Sequence, residues 1–552
     1  MKKEIKKIIT AGIKGLSNET VDFSVDFSDD KIHGDYSTNV ALILAKKIRK
    51  NPIETANLIK DKIGSKGIFN KIEIAGPGFI NFFIADKVFI DNLKSIDKNY
   101  GKGQGLKNKK VIIDYTDPNP FKDFHIGHLM NNTIGESLSR IFEFQGAKLK
   151  RLCFQGDVGI HVAKAIWGKT KNPSLLWGKA YALGATAFED DEVSKKEITD
   201  LNKIIYNRSD KAINKLYDQG KKESLIHFSS IYKKLDTKFD DLIFESQVVD
   251  LGKKIVEKGL KDGIFEIGER GAVIFRGEKY GLHTRVFINS EGLPTYGAKD
   301  LGLAELKYKK YKYDKSVVVT ANEQDSHFDI VLCALSKINE RLAESTKHIG
   351  HGLLKLPEGK MSSRTGKVIT GESLIERVEE LVKEKIIDRE LSVLEQKEII
   401  EGVAIGAIRY SILKQSVGSD IIYDFDKSIS FEGDSGPYLQ YSYARARSIL
   451  RKAKSENIKA SFKKIPNEIT ELEKLIFHFP EIISASLNSY EPHFLVLYLT
   501  ELAGMFNGYY TKNKIVDKAD EFSPYRVALT KSFIQTMGNG MWLLGIKSLD
   551  KM

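Results

Sequence analysis

Apolar residues near the start of the chain recur at Ile5, Ile8, Ile9, Ile13 and Leu16, a three-to-four spacing that predicts a helix with one buried face. A second helical stretch is expected over 38–64, and the two flank alternating segments such as "VDFSVDF" (21–27) and "KIEIAGPGFINFFI" (71–84). Period-two alternation predicts half-buried strands, so residues 1–105 read as an α+β unit that closes in the Gly-rich linker "NYGKGQG" (99–105). Directly after it, "KKVIIDY" (109–115) is a short β-branched run of the kind that becomes a buried parallel strand. Leu129, Ile134, Leu138, Ile141 and Phe142 then fall at helical spacing. Strand, loop and helix in that order predict the first βα unit of a doubly wound sheet.

Further along, Phe228, Ile231, Leu235, Phe239 and Leu242 recur every three or four positions, and 195–265 reads as mainly helical. Strand patterns return at "GAVIFRG" (271–277), "TRVFINS" (284–290) and "KSVVVTAN" (315–322), and from about 375 to the end the pattern is almost wholly helical. The expected architecture is a multidomain α/β protein. Residues 1–105 form an N-terminal α+β domain, and 106–374 a Rossmann-like core with a helical insertion at about 165–270. Residues 375–552 form a C-terminal all-helical domain.

Composition changes this picture little. A hydrophobic content of 41% and a charged content of 29% describe an ordinary globular chain. The net charge of +12 is compatible with a polyanionic partner such as RNA, but it is spread along the sequence. The two cysteines, Cys153 and Cys333, form no CxxC or Cys/His cluster, so no zinc site is expected. Lys6, Lys7 and Lys14 interrupt the apolar residues of the N-terminus, which excludes a secretory signal. With no long apolar run, no membrane span is expected and the location is read as cytoplasmic.

Two stretches carry candidate chemistry. In "DYTDPNPFKDFHIGHLMNNTIGE" (114–136), His125 and His128 stand at the predicted strand-to-helix turn, where backbone N–H groups and the helix dipole favour an anion. The histidines add donors toward phosphate oxygens, and Gly127 between them lets a flat base lie against the backbone. In "LPEGKMSSRTGKV" (356–368), glycines flank Lys360, Arg364, Lys367 and the hydroxyls Ser362, Ser363 and Thr365. A loop of that composition can close over a triphosphate and neutralise charge as pyrophosphate leaves.

His-Ile-Gly-His followed by Lys-Met-Ser resembles the paired signatures of class I aminoacyl-tRNA synthetases, and the surrounding residues resemble the arginyl-tRNA synthetases among them. "HGDYSTNVA" (33–41) and "AGPGFINFFI" (75–84) are similar to that family's N-terminal domain, which contacts the tRNA elbow. "DPNPFKDFHIGH" (117–128) and "FQGDVGIHV" (154–162) are similar to its catalytic core. "SGPYLQYSYARA" (435–446) and the closing "LLGIKSLDKM" are similar to its anticodon-binding domain.

The resemblance implies activation of L-arginine by ATP to arginyl-adenylate, with release of pyrophosphate, and transfer of the arginyl group to the terminal adenosine of its tRNA. ATP arrives with Mg²⁺, and no dedicated metal site is implied. His125, Gly127, His128, Lys360, Met361 and Ser362 are the implied ATP contacts, with Lys122 and Arg364 as further catalytic cations. Asp114, Asn119, His125, Tyr296, Asp300 and Gln324 match the arginine-contacting positions. Arginine's planar, permanently charged fork suits a pocket of carboxylates and flat surfaces. Phe79 and Asn81 match positions used against the tRNA D-loop; as strand residues two apart they share a face. Tyr438, Tyr441 and Arg445 on one helical face, with Asn507, Tyr509 and Tyr510, suit unstacked anticodon bases. A monomer is the expected state.

The chain departs from the family pattern at several places. Ser363 and Arg364 replace the second lysine and final serine of the usual Lys-Met-Ser-Lys-Ser loop, and Lys122 stands where relatives carry a compensating lysine. Met130 and Asn131 occupy an Arg-Ser position, and Val158 an aromatic one. Two rival readings are a nucleotidylyltransferase, which shares HxGH but lacks the distant lysine loop and helical C-terminal domain, and a catalytically silent RNA-binding paralogue.

Overall fold

The computed structural model describes the chain except for residues 17–19, 29, 65–66, 357–369 and 387–391. The described residues form two compact units. One comprises residues 1–101, 446–483 and 504–536, the other 102–445, 484–503 and 537–552.

In the first unit, Ile5, Ile9 and Ile13 of the helix Lys2–Ile13 are buried, as the periodicity predicts. The expected single helix over 38–64 is two helices, Val40–Ile48 and Pro52–Ile63. Arg49 turns left-handed, and the side chain of Asn51 accepts from the N–H groups of Ile53 and Glu54. Pro52 opens the second helix, where its missing N–H costs nothing. Four antiparallel strands stand in the order Val25–Phe27, Tyr36–Thr38, Phe79–Ile84, Phe69–Ala75. The sheet meets the helix Glu471–Ser489 through Tyr36 Oη, which donates to Glu481 Oε2 at 3.0 Å, and through an Asp35–Lys474 ion pair at 3.2 Å.

The second unit is built on a five-stranded parallel sheet. Its spatial order is Thr346–His351, Lys315–Ala321, Lys110–Asp114, Lys148–Gln155, Asp241–Phe244. The chain starts at the central strand, moves outward twice on one side, then returns to build the other side. The topological switch point therefore lies between Lys110–Asp114 and Lys315–Ala321, and crevices outside the carboxyl ends of strands at such points are where ligands bind.

One expectation is corrected here and another is borne out. Phe239 and Leu242 do not continue the helix Lys211–Lys234; Asp236 takes a left-handed φ of 47°, and Asp241–Phe244 is the edge strand of the parallel sheet. "GAVIFRG" and "TRVFINS" supply strands of a separate three-stranded antiparallel sheet. The helices between the second and third parallel strands are Ile160–Lys171, Trp177–Asp190, Glu192–Asn207 and Lys211–Lys234. Buried Asp157 ties this insertion to the sheet, because its carboxylate accepts from Tyr217, Lys221 and both the backbone and side chain of Ser246 at 2.7–2.9 Å. The helix Ile126–Phe144 is buried all round; only Gly127 and Glu143 are not. Cys153 is buried and Cys333 half-buried, both as free thiols.

Candidate active site

At the switch point lies a cleft of about 470 Å³ in the second unit. It is lined by Asp114, Asn119, His125, Gly127, His128, Tyr296, Asp300 and Gln324, so residues far apart in sequence are brought to one place.

His125 caps the helix Ile126–Phe144. Its Nδ1 accepts from the N–H of Gly127 at 3.1 Å, and Nδ1 of His128 accepts from the N–H of His125 at 3.2 Å. A nitrogen that accepts a backbone N–H carries no proton, so the proton of each neutral ring sits on Nε2. The rings stack with centroids 3.6 Å apart. Desolvation by the cleft walls, followed by Lys122, lowers the His125 pKa to about 4, although its ring stays open to the cleft. Burial lowers His128 further, with His125 and Lys122 adding to the effect. The pair therefore offers two neutral N–H donors side by side, and any compensating positive charge comes from elsewhere. Gly127 also has a role that its sequence does not reveal. A Cβ there would stand 2.9 Å from Cε1 and 3.0 Å from Nδ1 of His125, so the glycine makes room for the capping rotamer of the histidine.

The connection from the central strand to this helix is strained. Thr116, Asp117 and Phe121 have φ of 82°, 44° and 71°, a region that non-glycine residues rarely occupy. Each is held by a specific hydrogen bond. The Thr116 N–H donates to Asn131 Oδ1 at 2.9 Å, Asp117 Oδ1 accepts from the Phe154 N–H at 2.7 Å, and the Phe121 N–H donates to Ser224 Oγ at 2.9 Å. Asn131 Nδ2 also donates to the carbonyl of Val319 at 2.8 Å, so one side chain fixes the loop to the neighbouring strand across the switch point. That is a role for Asn131 that the sequence does not reveal.

Carboxylates line the same cleft. Asp114 is buried at the end of the central strand with Oδ2 3.3 Å from Lys307 Nζ, while its Oδ1 has no partner among the described residues. Burial raises its pKa and Lys307 opposes the rise. An unpaired buried acceptor facing a cleft awaits a donor. Asp300, one helical turn after Tyr296, accepts from His327 at 2.6 Å. Buried Glu245 pairs with Lys299 at 2.6 Å, and the Lys299 ammonium stands 5.2 Å from the exposed ring of Tyr296. Asn119 Oδ1 accepts from the Gly156 N–H at 3.0 Å, which turns its amide nitrogen to other partners; a Cβ at Gly156 would stand 2.4 Å from that oxygen. Gln324 closes the short turn after the strand Lys315–Ala321. Sequence reasoning missed Glu245, Lys307 and His327, which only long-range packing brings to the site, and it gave Asn131 no role although that residue stands within the histidine stretch.

Lys122 stands with Nζ 4.4 Å over the ring of Tyr181 and acts electrostatically on both histidines. Lys360, Met361, Ser362 and Arg364 lie outside the described residues. Thr370, which follows that segment, bridges His125 in antiparallel fashion, and the Gly371 N–H donates to the Phe124 carbonyl at 2.7 Å.

The residues expected to touch RNA divide. Phe79 is 39% exposed, but Asn81 is only 2% exposed, paired between Ser37 and Glu73 in the antiparallel sheet. The two stand two apart on the strand Phe79–Ile84, as expected, but only Phe79 is open to solvent. Tyr441 and Arg445 do meet: Arg445 Nη2 donates to Tyr441 Oη at 3.0 Å and its guanidinium lies 4.6 Å over the ring. Tyr438 is half-buried on the same helix. Asn507 and Tyr509 are half-buried on the helix His493–Lys512, and Tyr510 is exposed. Burial and the nearby Glu473 carboxylate raise the Tyr509 pKa to about 12.

Comparison with known proteins agrees across the chain. Residues 90–425 match the family described as tRNA synthetases class I (R), catalytic domain. Residues 3–84 match the arginyl tRNA synthetase N terminal domain, and 439–552 the DALR anticodon binding domain. The arginine--tRNA ligase of Clostridium perfringens is 30% identical over 574 residues, covering 100% of both chains. That of Fusobacterium nucleatum is 31% identical, covering 100% of this chain and 99% of its own. The Thermus thermophilus arginyl-tRNA synthetase structure superposes with a TM-score of 0.83 at 22% identity, covering 100% of both chains.

Proposed function

Because the chain belongs to the arginyl-tRNA synthetase family and so attaches arginine to tRNA at the expense of ATP, we propose that the two ends of its cleft divide that reaction between them. The histidine end takes the nucleotide. His125 and His128 direct their Nε2–H donors at phosphate oxygens, with the start of the helix behind them. The carboxylate end takes arginine, with Asp300 on the guanidinium, Tyr296 against its plane, and Asp114, Asn119 and Gln324 on the remaining polar groups.

The chemistry follows from placing these ends together. The arginine carboxylate attacks the α-phosphorus of ATP in line, the bond to the bridging oxygen breaks, and pyrophosphate leaves with the electron pair. A hydroxyl of the terminal adenosine of tRNA then attacks the arginyl carbonyl, and AMP departs. Neither step needs a protein nucleophile; positioning and charge stabilisation carry the rate. Since the histidines are neutral, Lys122 and the segment holding Lys360, Met361, Ser362 and Arg364 supply the positive charge. The bridge from Thr370 to His125 supports this, because the residue following that segment is fixed beside the nucleotide end. Mg²⁺ enters with the phosphates as part of the nucleotide substrate.

Residues 1–105 take the tRNA elbow, with Phe79 as its stacking residue, and residues 375–552 the anticodon, with Tyr438, Tyr441, Arg445, Asn507 and Tyr509. The enzyme acts as a cytoplasmic monomer. Among the described residues no helix is long and apolar enough to cross a membrane.

One observation carries the assignment: a neutral, helix-capping histidine pair and a set of carboxylates line the same cleft at the switch point. Separate substitutions test the division. Asp300→Asn is expected to raise the KM for arginine by about ten- to a hundredfold with the KM for ATP unchanged. His128→Asn is expected to lower kcat for adenylate formation by about a hundredfold. If Asp300→Asn instead acts on the ATP parameters, the ends are misassigned.

A further inference from the structure

Behind Asp300 stands a chain of side chains that the reaction does not itself call for. Arg285, on the strand Arg285–Ile288, has Nη1 2.7 Å from His327 Nδ1, and His327 Nε2 is 2.6 Å from Asp300 Oδ2. A guanidinium has donors only and does not lose its charge in a protein. Nδ1 is therefore the bare, accepting nitrogen, and the single proton of the ring sits on Nε2, where it is donated to Asp300. Both hydrogen-bond directions are fixed by the chemistry of arginine. His327 is 6% exposed, and among the described residues Arg285 has no carboxylate partner.

We infer that Arg285 and His327 are positioning residues for the amino-acid substrate: Arg285 locks His327 in its neutral form, so that Asp300 is oriented by a donor yet keeps its whole negative charge for the guanidinium of arginine. The inference rests on the reading of Asp300 as the guanidinium's partner.

The alternative state shows what the lock prevents. Without Arg285, Nδ1 would be free to take a second proton, and the ring would then face Asp300 as a cation 2.6 Å away. That cation would hold Asp300 as a resident ion pair and compete with the arriving substrate. Arg285 and Asp300 touch His327, and the His348 ring is close enough to interact with it electrostatically. Arg285 is always charged, and Asp300 is the acceptor on the helix Tyr296–Tyr311. His348, on the strand Thr346–His351, is held near pKa 4 by burial and stays uncharged at neutral pH. Among the described residues no other cation is hydrogen-bonded to His327.

The test follows the KM for arginine and for ATP by ATP–pyrophosphate exchange with tRNA present, from about pH 6 to about pH 8.5. The wild type is expected to show a flat arginine KM. In Arg285→Leu that KM should rise about tenfold between the top and the bottom of that pH window, with the ATP KM unmoved. The double variant Arg285→Leu/His327→Gln replaces the titrating ring with an amide donor and should be flat again. A wild-type profile in Arg285→Leu, or a pH dependence that survives in the double variant, would overturn the inference.

Should Arg285→Leu fail to fold, the pair His327→Gln and His327→Leu replaces it. The first keeps a donor to Asp300 and is expected to hold the arginine KM near wild type, and the second to raise it at every pH. Equal values would overturn the inference. Asp300→Asn separates the two levels. An unchanged arginine KM there means that Asp300 is not the guanidinium's partner, whereas a raised KM beside a flat Arg285→Leu profile means that only the lock is wrong.

Discussion

His125, Gly127 and His128 show how one small turn can serve fold and chemistry together. The same Nδ1 atoms that satisfy backbone N–H groups at the helix start oblige Nε2 to face the cleft as a donor. Gly127→Ala would force the His125 ring out of its capping rotamer, since the new Cβ would lie 2.9 Å from Cε1. The expected result is a loss of adenylate formation of about tenfold or more with a thermal midpoint changed by only a few degrees, measured by pyrophosphate exchange and melting. The sign of the pH dependence follows from the same geometry. A histidine with its pKa lowered to about 4 sheds its proton far below neutrality, so the ring is already neutral throughout the working range. Exchange activity should therefore stay level as pH rises from about 6 to about 8, through the ordinary histidine pKa near 6.5. A loss of activity on that rise would mean that an imidazolium does the work. The sequence marks this turn as special because His-Ile-Gly-His is local. It hides that Gly127 also makes room for the His125 ring, because that depends on a rotamer.

Among the elements, the strained loop after the central strand depends on the helix that follows it. Asn131 supplies the acceptor for the Thr116 N–H and a donor for the Val319 carbonyl. Asn131→Ala would leave both backbone groups buried without a partner. The expected cost is about 2–4 kcal/mol, read as a lower denaturant midpoint with an unchanged slope. A shift below about 0.5 kcal/mol would show that the loop holds its conformation without this clamp.

Strand, loop and helix were legible here because apolar runs and helical spacing are local signals, and the C-terminal helices were legible for the same reason. The edge strand Asp241–Phe244 was not. It is only four residues long, and Phe239 and Leu242 extend a helical spacing whose interruption at Asp236 leaves no mark in composition. "GAVIFRG" and "TRVFINS" read correctly as strands, but sequence gives no register by which to assign them to a sheet. The partners of the site were the least legible. Lys307 reaches Asp114 across 193 positions, and Asn81, alternating correctly along its strand, is buried by neighbours that period-two spacing cannot see.

At the scale of the whole molecule, three family matches span the chain, and one cleft is lined by both the histidine pair and the carboxylates. The central claim is that this cleft activates arginine and no other amino acid. A site built from buried polar groups rejects ligands that leave those groups unpaired, by roughly 10⁴ to 10⁵-fold. Lysine lacks the fork and citrulline the charge, so no separate editing step is needed. The most direct measurement is ATP–pyrophosphate exchange by the full chain across the amino acids together with citrulline, with and without tRNA. Exchange with arginine alone is the predicted result. Exchange with lysine or citrulline at a comparable rate, or no exchange with arginine by folded protein even with tRNA present, would contradict the account.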